Sequence, residues 1–337
     1  MLVSIIILNL NGRNFLSDCL NSLRRQTYKN FEIIVVDNGS SDGSAEFVKD
    51  NFPEVKIIEN KQNLGFPKPN NQGFEIALGD YIVTLNNDTV VDEKWLEHLV
   101  LAAEKDKRIG MCASKILSMS NHRQIDSAGV NICLDGMSRG RGRLEIDNGQ
   151  YDNEKEILFP SACAALYKRE MLEQTGFFDE DFFAYCDDSD LGLRGRLAGW
   201  KAILVPDAAV YHYYSGTGGK YSSLKAYLVE RNHFWLVVKY FPPELIILFP
   251  FFTLWRFLLQ AVAALSGRGA SSEFFSEHSF FQSLGVIFRA YYDAVKKIKV
   301  FYKKRGEIKK QKTISRKEFY RLLFKYRLKF SEIVFKK

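Results

Sequence analysis

The sequence predicts an α/β fold, a mostly parallel sheet covered by helices, followed by a basic helical region. Three observations carry this. Short Ile- and Val-rich runs alternate with helix-period segments through the first ninety residues, the pattern of strands joined by crossover helices. Asn, Asp, Gly and Ser gather directly after three of those strands, at the edge where ligands of such sheets bind. The composition then shifts after residue 235: residues 291–337 hold 17 Lys/Arg against 4 Asp/Glu, so the first 290 residues carry a net −6 although the 337-residue chain is +7. With 46% apolar and 26% charged residues, such a chain can bury one large domain and still carry an appendage.

Taken in order, residues 3–8 form a continuous β-branched run and read as a buried strand, too short to span a bilayer and without a basic leader or cleavage site. Residues 15–23 have helical periodicity, 31–36 are a second strand, 45–52 a short helix and 55–58 a third strand. Residues 73–78 belong to a helix and 81–85 to a fourth strand. Further on, residues 95–104 are amphipathic, with Trp95, Leu96, Leu99 and Val100 facing a core and His98 at the surface. Residues 118–157, with Gly136, Gly140, Gly142 and Gly149 among charged and polar residues, are the least regular stretch, either a loop over a cleft or ordinary hairpins. The five cysteines are odd in number and show no C-x-x-C spacing, which argues against a disulfide framework or a structural zinc site and for a reducing cytoplasm.

The strand-end residues are the first candidates for chemistry. Asn9 and Asn11 follow strand one, Asp37 to Ser44 follow strand two, and Asn86-Asn87-Asp88 follow strand four. Turn chemistry alone uses such residues, but three turns at one edge form a set. Neither G-x-G-x-x-G after strand one nor a P-loop is present, so a bound phosphate needs another positive charge. Mg²⁺ or Mn²⁺ held by Asp88 would supply it, because these ions take one or two carboxylates and fill their remaining positions with phosphate oxygens and water.

The second candidate is Asp187-Asp188-Ser189-Asp190 at the start of a helical run marked by Leu191, Leu193 and Leu197. Acids there complement the helix dipole. Capping needs only one of them. Three within four residues repel one another and raise at least one pKa, which suits a general base.

These segments together resemble a known family. Val3 to Asn11, Gln26-Thr27-Tyr28, Phe31 to Ser44, Asn63-Leu64-Gly65-Phe66, Asn70-Asn71 and Leu85 to Asp88 are similar to the family-2 inverting glycosyltransferases of the GT-A fold. Within them the chain is most like the rhamnosyltransferase-like branch of bacterial polysaccharide assembly. The resemblance implies a donor site made by Asn9, Asn11, Asp37, Asn63, Gly65, Asn71 and Asn87, with Asp37 on the nucleoside and the 63–66 loop along the sugar. It implies Asp88 as the metal-binding acid of a D-x-D-type motif, with Asn86 where a stricter motif has Asp. Asp188 matches the catalytic base, with Asp187 where Glu is commoner and with Asp190, Arg194 and Trp200 around the acceptor. Ala162 stands where Gly is usual. His212, ahead of a glycine-rich turn, matches a position that completes the metal shell or touches the diphosphate; a hydrogen-bonded structural histidine is the alternative. Arg231, beside Asn232, matches a diphosphate-binding arginine; a helix-surface pair with Glu230 is the alternative, as a simple positive-φ turn is for Gly65.

Residues 1–235 are therefore expected to form the catalytic domain, about 1–90 its nucleotide-binding half and 91–235 its acceptor-binding half, and 236–337 a basic amphipathic helical region. The apolar run 241–265 is interrupted by Pro250, Arg256 and Gln260 and suits the membrane interface better than a span. Two later stripes, one from Phe281 to Tyr302 and one from Phe319 to Ile333, lie among lysines and arginines and read as docking on anionic lipid or as a small bundle. No nucleic-acid-reading module is present.

The expected activity is inverting transfer of a sugar from a nucleoside-diphosphate sugar, dTDP-rhamnose or a UDP-hexose, to a glycan or polyprenyl-diphosphate-linked acceptor. The expected location is cytoplasmic and peripheral, on the inner face of the cell membrane; a homodimer is left open. The alternatives are a sugar-nucleotide pyrophosphorylase and a non-catalytic membrane-associated binding protein. Asn11-Gly12-Arg13 is a poor triphosphate loop for the former, and only the C-terminal region supports the latter.

Overall fold

The computed structural model describes residues 1–213, 222–267, 269 and 280–335. The chain divides into two compact units, Met1–Val130 with Gly140–Thr217 and Asn131–Arg139 with Gly218–Lys337.

The first unit opens with β1 (Val3–Asn9), α1 (Arg13–Arg24), β2 (Phe31–Asp37), α2 (Ser44–Asn51), β3 (Lys56–Glu59), α3 (Pro67–Ile76) and β4 (Tyr81–Asn86). These strands lie side by side as β3-β2-β1-β4, all parallel. Alternation explains the double cover. Val3, Ile5 and Ile7 share one core with Leu16, Leu20 and Leu23 of α1, while Ile6 points the other way, under α3. There Gly73 permits the close approach, since a Cβ would come within 2.7 Å of the Ile6 Cγ2. Each fully buried Ile or Leu contributes about 1.5–3 kcal/mol.

After β4 the chain continues through β5 (Thr89–Val91), α4 (Trp95–Glu104), β6 (Ile109–Ser118) and β7 (Asn121–Ser127), and later through β10 (Ala164–Lys168), α5 (Arg169–Thr175), α6 (Asp187–Leu197) and β11 (Lys201–His212). β10 enters antiparallel between β4 and β6, β6 runs parallel to β11, and β5 and β7 add antiparallel edges. The sheet is therefore parallel where the sequence alternates strand with helix and mixed beyond it. The irregular-looking 118–157 stretch folds largely as hairpins. β7 returns along β6, and β8 (Val130–Ile132) pairs with β9 (Ser138–Gly140).

The second unit contains α7 (Ser223–Tyr240), α8 (Pro243–Leu265), α9 (Phe280–Lys296), α10 (Ile298–Gln311), α11 (Arg316–Lys325) and α12 (Phe330–Phe335). The boundary expected at 235 falls inside α7, whose Trp235 is buried and stacks on Phe301 of α10 at 4.2 Å. α11 starts with a capping box between Ser315 and Glu318. The two apolar stripes behave differently. Phe319, Leu323 and Tyr326 pack inward, whereas the α9 stripe is split: Phe281 is 83% and Phe288 74% exposed, while Tyr291 reaches inward to Glu230 at 3.1 Å and Ala290, Ala294 and Phe301 are buried. α8 is continuous through Pro250, and by length and composition it is the one helix among the described residues able to cross a membrane.

Candidate active site

Strand register performs the first step of assembly. Asn9 lies opposite Asp37 at the ends of β1 and β2, and Leu8 opposite Asn86 at the end of β4. A chain of hydrogen bonds then runs across the edge. Asn87 Nδ2 donates to Asn9 Oδ1 at 2.7 Å, Asn9 Nδ2 to Asp37 Oδ1 at 2.8 Å, and Ser40 Oγ and N to the two Asp37 oxygens at 2.6 and 3.0 Å. Asn11, at φ 50°, receives the Ser41 N–H and gives its own N–H to Ser40 Oγ, both at 2.8 Å. Asn9 is wholly buried and so organises this edge from beneath.

Beside it, buried Asn38 shapes the 60–65 loop. Its amide donates to Asn63 Oδ1 and Gly65 O, each at 2.9 Å, and its carbonyl receives Leu64 N–H at 3.0 Å. The loop docks on the segment leading into α6, where Phe66 N–H donates to Phe183 O at 2.6 Å. Gly65, at φ +87°, lies against Phe183 so closely that a Cβ would stand 2.9 Å from both its carbonyl carbon and its Cδ2. On the other side of that contact, Phe183, Tyr185 and Cys186 all adopt left-handed φ of 62–66°. Non-glycine residues held this way store strain of about 1–3 kcal/mol each and concentrate at functional sites.

That segment delivers the acid cluster. Cys186 occupies the N-cap of α6 without a side-chain cap, so capping does not account for the three acids. Asp190, fully buried, pairs with Arg194 at 2.9 Å, and Arg194 also donates to Thr175 O and Phe177 O at 2.7 and 2.5 Å, fixing the preceding turn. Asp187 is buried and Asp188 half-buried. Burial, then the neighbouring Asp188, push the Asp187 carboxyl up to about 8. Burial also raises Asp188, against hydrogen bonds from the Ser189 N–H and hydroxyl and the Ala162 N–H. Two carboxyls buried side by side resist being ionised together, so each raises the other's cost of charging.

His212 ends β11 between two carboxylates. Its Nδ1 is 2.8 Å from Asp126 Oδ2 and its Nε2 3.3 Å from Asp88 Oδ1. Asp126 is also paired with Arg143, and the Cys163 thiol is an electrostatic neighbour of His212. Burial opposes the imidazolium, yet Cys163, Asp126 and Asp88 outweigh it and hold the His212 pKa well above the ordinary histidine value. The donor set fits a divalent cation. With Nδ1–H given to Asp126, Nε2 turns its lone pair toward the Asp88 carboxylate, and the two repel unless a proton or a cation neutralises them. Among the described residues no three His, Cys, Asp or Glu side chains converge as a ready cage. Two protein ligands suffice for Mg²⁺ or Mn²⁺ when phosphate and water complete the shell.

Residues 162 and 163 join the two poles. Cys163 O receives the Asn86 N–H at 2.8 Å, while the Ala162 amide and the Cys163 thiol are electrostatic neighbours of Asp188 and His212 respectively. The remaining expected site residues have contacts of their own. Asn71 exchanges hydrogen bonds with the Phe178 backbone, both at 3.0 Å, and so ties α3 to the turn ahead of the acids. Trp200 follows the C-terminal end of α6, roughly 16 Å from its start by helical rise, where its indole donates to Gln174 Oε1 at 2.7 Å. Arg231 belongs to the second unit and stacks on Trp235 at 4.3 Å; Glu230 pairs with Arg256, so the alternative of an Arg231–Glu230 surface pair is not what forms. The glycine-rich turn after Tyr213 lies outside the described residues. Sequence reading missed Asn38, Asp126 and the strained 183–186 segment. Asn38 could have been found, because it adjoins Asp37 at a strand end; nothing marks Asp126.

With carboxamides and an acid at the ends of its parallel strands and an acid pair at the start of α6, the first unit has the GT-A fold. The structure is similar to S. aureus TarS 1–349 in complex with UDP-GlcNAc (TM-score 0.57, 17% identity, 88% of this chain and 82% of that one). It is also similar to the mannosyltransferase PcManGT from Pyrobaculum calidifontis in complex with GDP-Man and Mn²⁺ (TM-score 0.54, 16% identity, 92% and 85%). Residues 4–176 match glycosyl transferase family 2, and the chain belongs to that family. Its relatives include the O-antigen biosynthesis protein RfbC of Myxococcus xanthus, 25% identical over 253 residues, which are 72% of this chain and 19% of RfbC. Another is an N-acetylglucosaminyl-diphospho-decaprenol L-rhamnosyltransferase of Mycobacterium tuberculosis, 25% identical over 64% of this chain and 80% of that protein. The chain thus spans about a fifth of the first relative and four-fifths of the second.

Proposed function

We propose that the protein transfers a hexose, with inversion, from a nucleoside-diphosphate sugar to a hydroxyl of a lipid-linked or polysaccharide acceptor. Asp188 takes the acceptor proton as the acceptor oxygen bonds to the anomeric carbon; the bond from that carbon to the diphosphate oxygen breaks, and the nucleoside diphosphate leaves. The proton held on Asp187 keeps Asp188 the ionised member of the pair. Asp88 and His212 would hold Mg²⁺ or Mn²⁺, which when bound neutralises charge on the departing diphosphate. Asp37, Asn11 and Asn87 contribute the nucleoside edge, Asn63 and Gly65 the loop beside the sugar, and Asn9, Asn38 and Asn71 position them. No part of this mechanism rests on Arg231.

What supports this reading most is the segment 162–163: the Ala162 amide is an electrostatic neighbour of Asp188, and Cys163 O accepts the Asn86 N–H at 2.8 Å, two residues before Asp88. The names of the mycobacterial relative and of a Bacillus spizizenii poly(ribitol-phosphate) beta-glucosyltransferase, 27% identical over 72% of this chain, support a dTDP-rhamnose or UDP-hexose donor and an envelope glycan acceptor. With such an acceptor the enzyme would work at the cytoplasmic face of the membrane, the location this reading proposes. In Asp188→Asn, turnover should fall about 10²–10⁴-fold while nucleotide-sugar binding, read by thermal shift with Mn²⁺, survives. Near-normal turnover would remove Asp188 from the mechanism.

A further inference from the structure

The second unit contains a helix whose two faces ask for different surroundings. One face of α8 is buried through Leu245, Phe249, Thr253, Arg256 and Ala263. Arg256 has no exposed surface and is fully engaged: its Nε donates to Asp135 Oδ2 at 2.7 Å, and its two terminal nitrogens donate to the Glu230 oxygens at 2.7 and 2.8 Å. The opposite face carries Ile247, Phe251, Leu254, Trp255, Leu258 and Val262, each more than half exposed. Their spacing of four, three, one, three and four residues forms one stripe along a helix about 34 Å long.

This arrangement excludes two ways of covering the stripe. Spanning a bilayer would bring Arg256 and both carboxylates to hydrocarbon depth, or tear the ion cluster apart; either is costly. Pairing with a second copy would bring together two units in which residues 291–337 alone carry 17 Lys/Arg against 4 Asp/Glu, a repulsion that works against it. In the α9–α10 region of the same unit, exposed Val295, Ile298, Val300 and Tyr302 alternate with exposed Lys296, Lys299 and Lys303. Apolar side chains interleaved with lysines match an anionic bilayer surface on both counts.

We propose that α8 is an in-plane anchor, lying parallel to an anionic bilayer with the Phe251–Trp255 face in the interfacial layer and Arg256 pinned on the protein side. This gives the membrane location in the proposed function a physical form, and its test reads lipid binding alone, so it stands or fails separately from the transfer chemistry.

The full chain is floated with vesicles of phosphatidylcholine containing about one-third phosphatidylglycerol, and with phosphatidylcholine alone. Binding should be about tenfold stronger to the anionic vesicles and should weaken with salt. Phe251→Glu with Trp255→Glu should lower binding at least about tenfold with an unchanged melting curve, and Lys299→Glu with Lys303→Glu should remove the anionic preference. The fluorescence lost in Trp255→Phe should be quenched more by lipid bromines near the headgroups than by those near the bilayer centre. Stronger quenching from the centre would overturn the in-plane mode. Retained binding in the double Glu variant would overturn the assigned face, and a concentration-dependent dimer abolished by that variant, without vesicle binding, would assign the face to a second copy.

Discussion

Gly65→Ala tests whether the donor loop and the acid helix act as one piece. Two effects add. Alanine at φ +87° bears the left-handed penalty of about 1–2 kcal/mol. Its Cβ would also sit 2.9 Å from the Phe183 carbonyl carbon and ring, with the carbonyl oxygen nearer still. Ordinary carbon contacts are about 3.5 Å, so the 183–186 segment must retreat by more than half an ångström, and by about 1 Å to clear the oxygen. Four residues lie between Phe183 and Asp188, and Phe183 and two of those four, Tyr185 and Cys186, already have positive φ, so the displacement reaches the acids. A misplacement of that size costs about 10²-fold in rate, and overpacking removes a further 1–3 kcal/mol of stability, roughly. Gly149→Ala is the control: its φ is +75°, but the nearest atom to an added Cβ is Asp152 Oδ2 at 3.4 Å. Urea denaturation and steady-state release of nucleoside diphosphate should show both variants destabilised and only Gly65→Ala slowed. Equal rates in the two variants would refute the coupling.

Further expectations concern the buried charges. The Asp187 pKa of about 8 lies above its ordinary 3.8, so between those values the unfolded chain ionises while the fold does not, and stability falls as pH rises. Asp187→Asn should remove that loss, gaining up to about 4 kcal/mol near pH 7 and little near pH 4; equal melting shifts at both pH values would count against a buried neutral acid. Asp126→Asn takes away the carboxylate behind His212 and should weaken Mn²⁺ affinity about 10–100-fold in a nucleotide-dependent titration, with the fold intact. Arg256→Ala leaves Asp135 and Glu230 unpaired and should cost about 3–5 kcal/mol by urea denaturation. Adding Asp135→Asn and Glu230→Gln should recover much of it.

How much of this was legible depended on whether a residue's role follows from local pattern. β1, β2 and β4 are continuous β-branched runs, so their ends could be read, and Asn9, Asp37, Asn87 and Asp88 with them. The helix at 95–104 matches α4 because its apolar spacing and its burial agree. Asp126 was hidden because it lies on an antiparallel strand in a stretch rich in glycine and charge, 86 residues from the histidine it meets. The Phe281–Tyr302 stripe shows a related limit. Its period was clear, yet periodicity does not say whether large or small residues face the core, and here Ala290 and Ala294 do. Arg256 was visible as an interruption in an apolar run, but its partner Asp135 stands 121 residues away.

Strain and buried charge converge on the same few residues of the first unit, and the cause is geometric. A left-handed run at Phe183, Tyr185 and Cys186 lets the chain reverse direction and start α6 with two acids turned inward. The Asn38 network holds the opposing loop against the reversal, so neither element can relax without the other. A conventionally capped helix would be cheaper to build, with its acids in solvent and their pKa values ordinary. The fold accepts a cost of several kcal/mol, roughly, to bury the Asp187 and Asp188 carboxyls side by side with both pKa values raised, and a raised carboxyl pKa is what general-base chemistry near neutral pH calls for, as the proposed function requires.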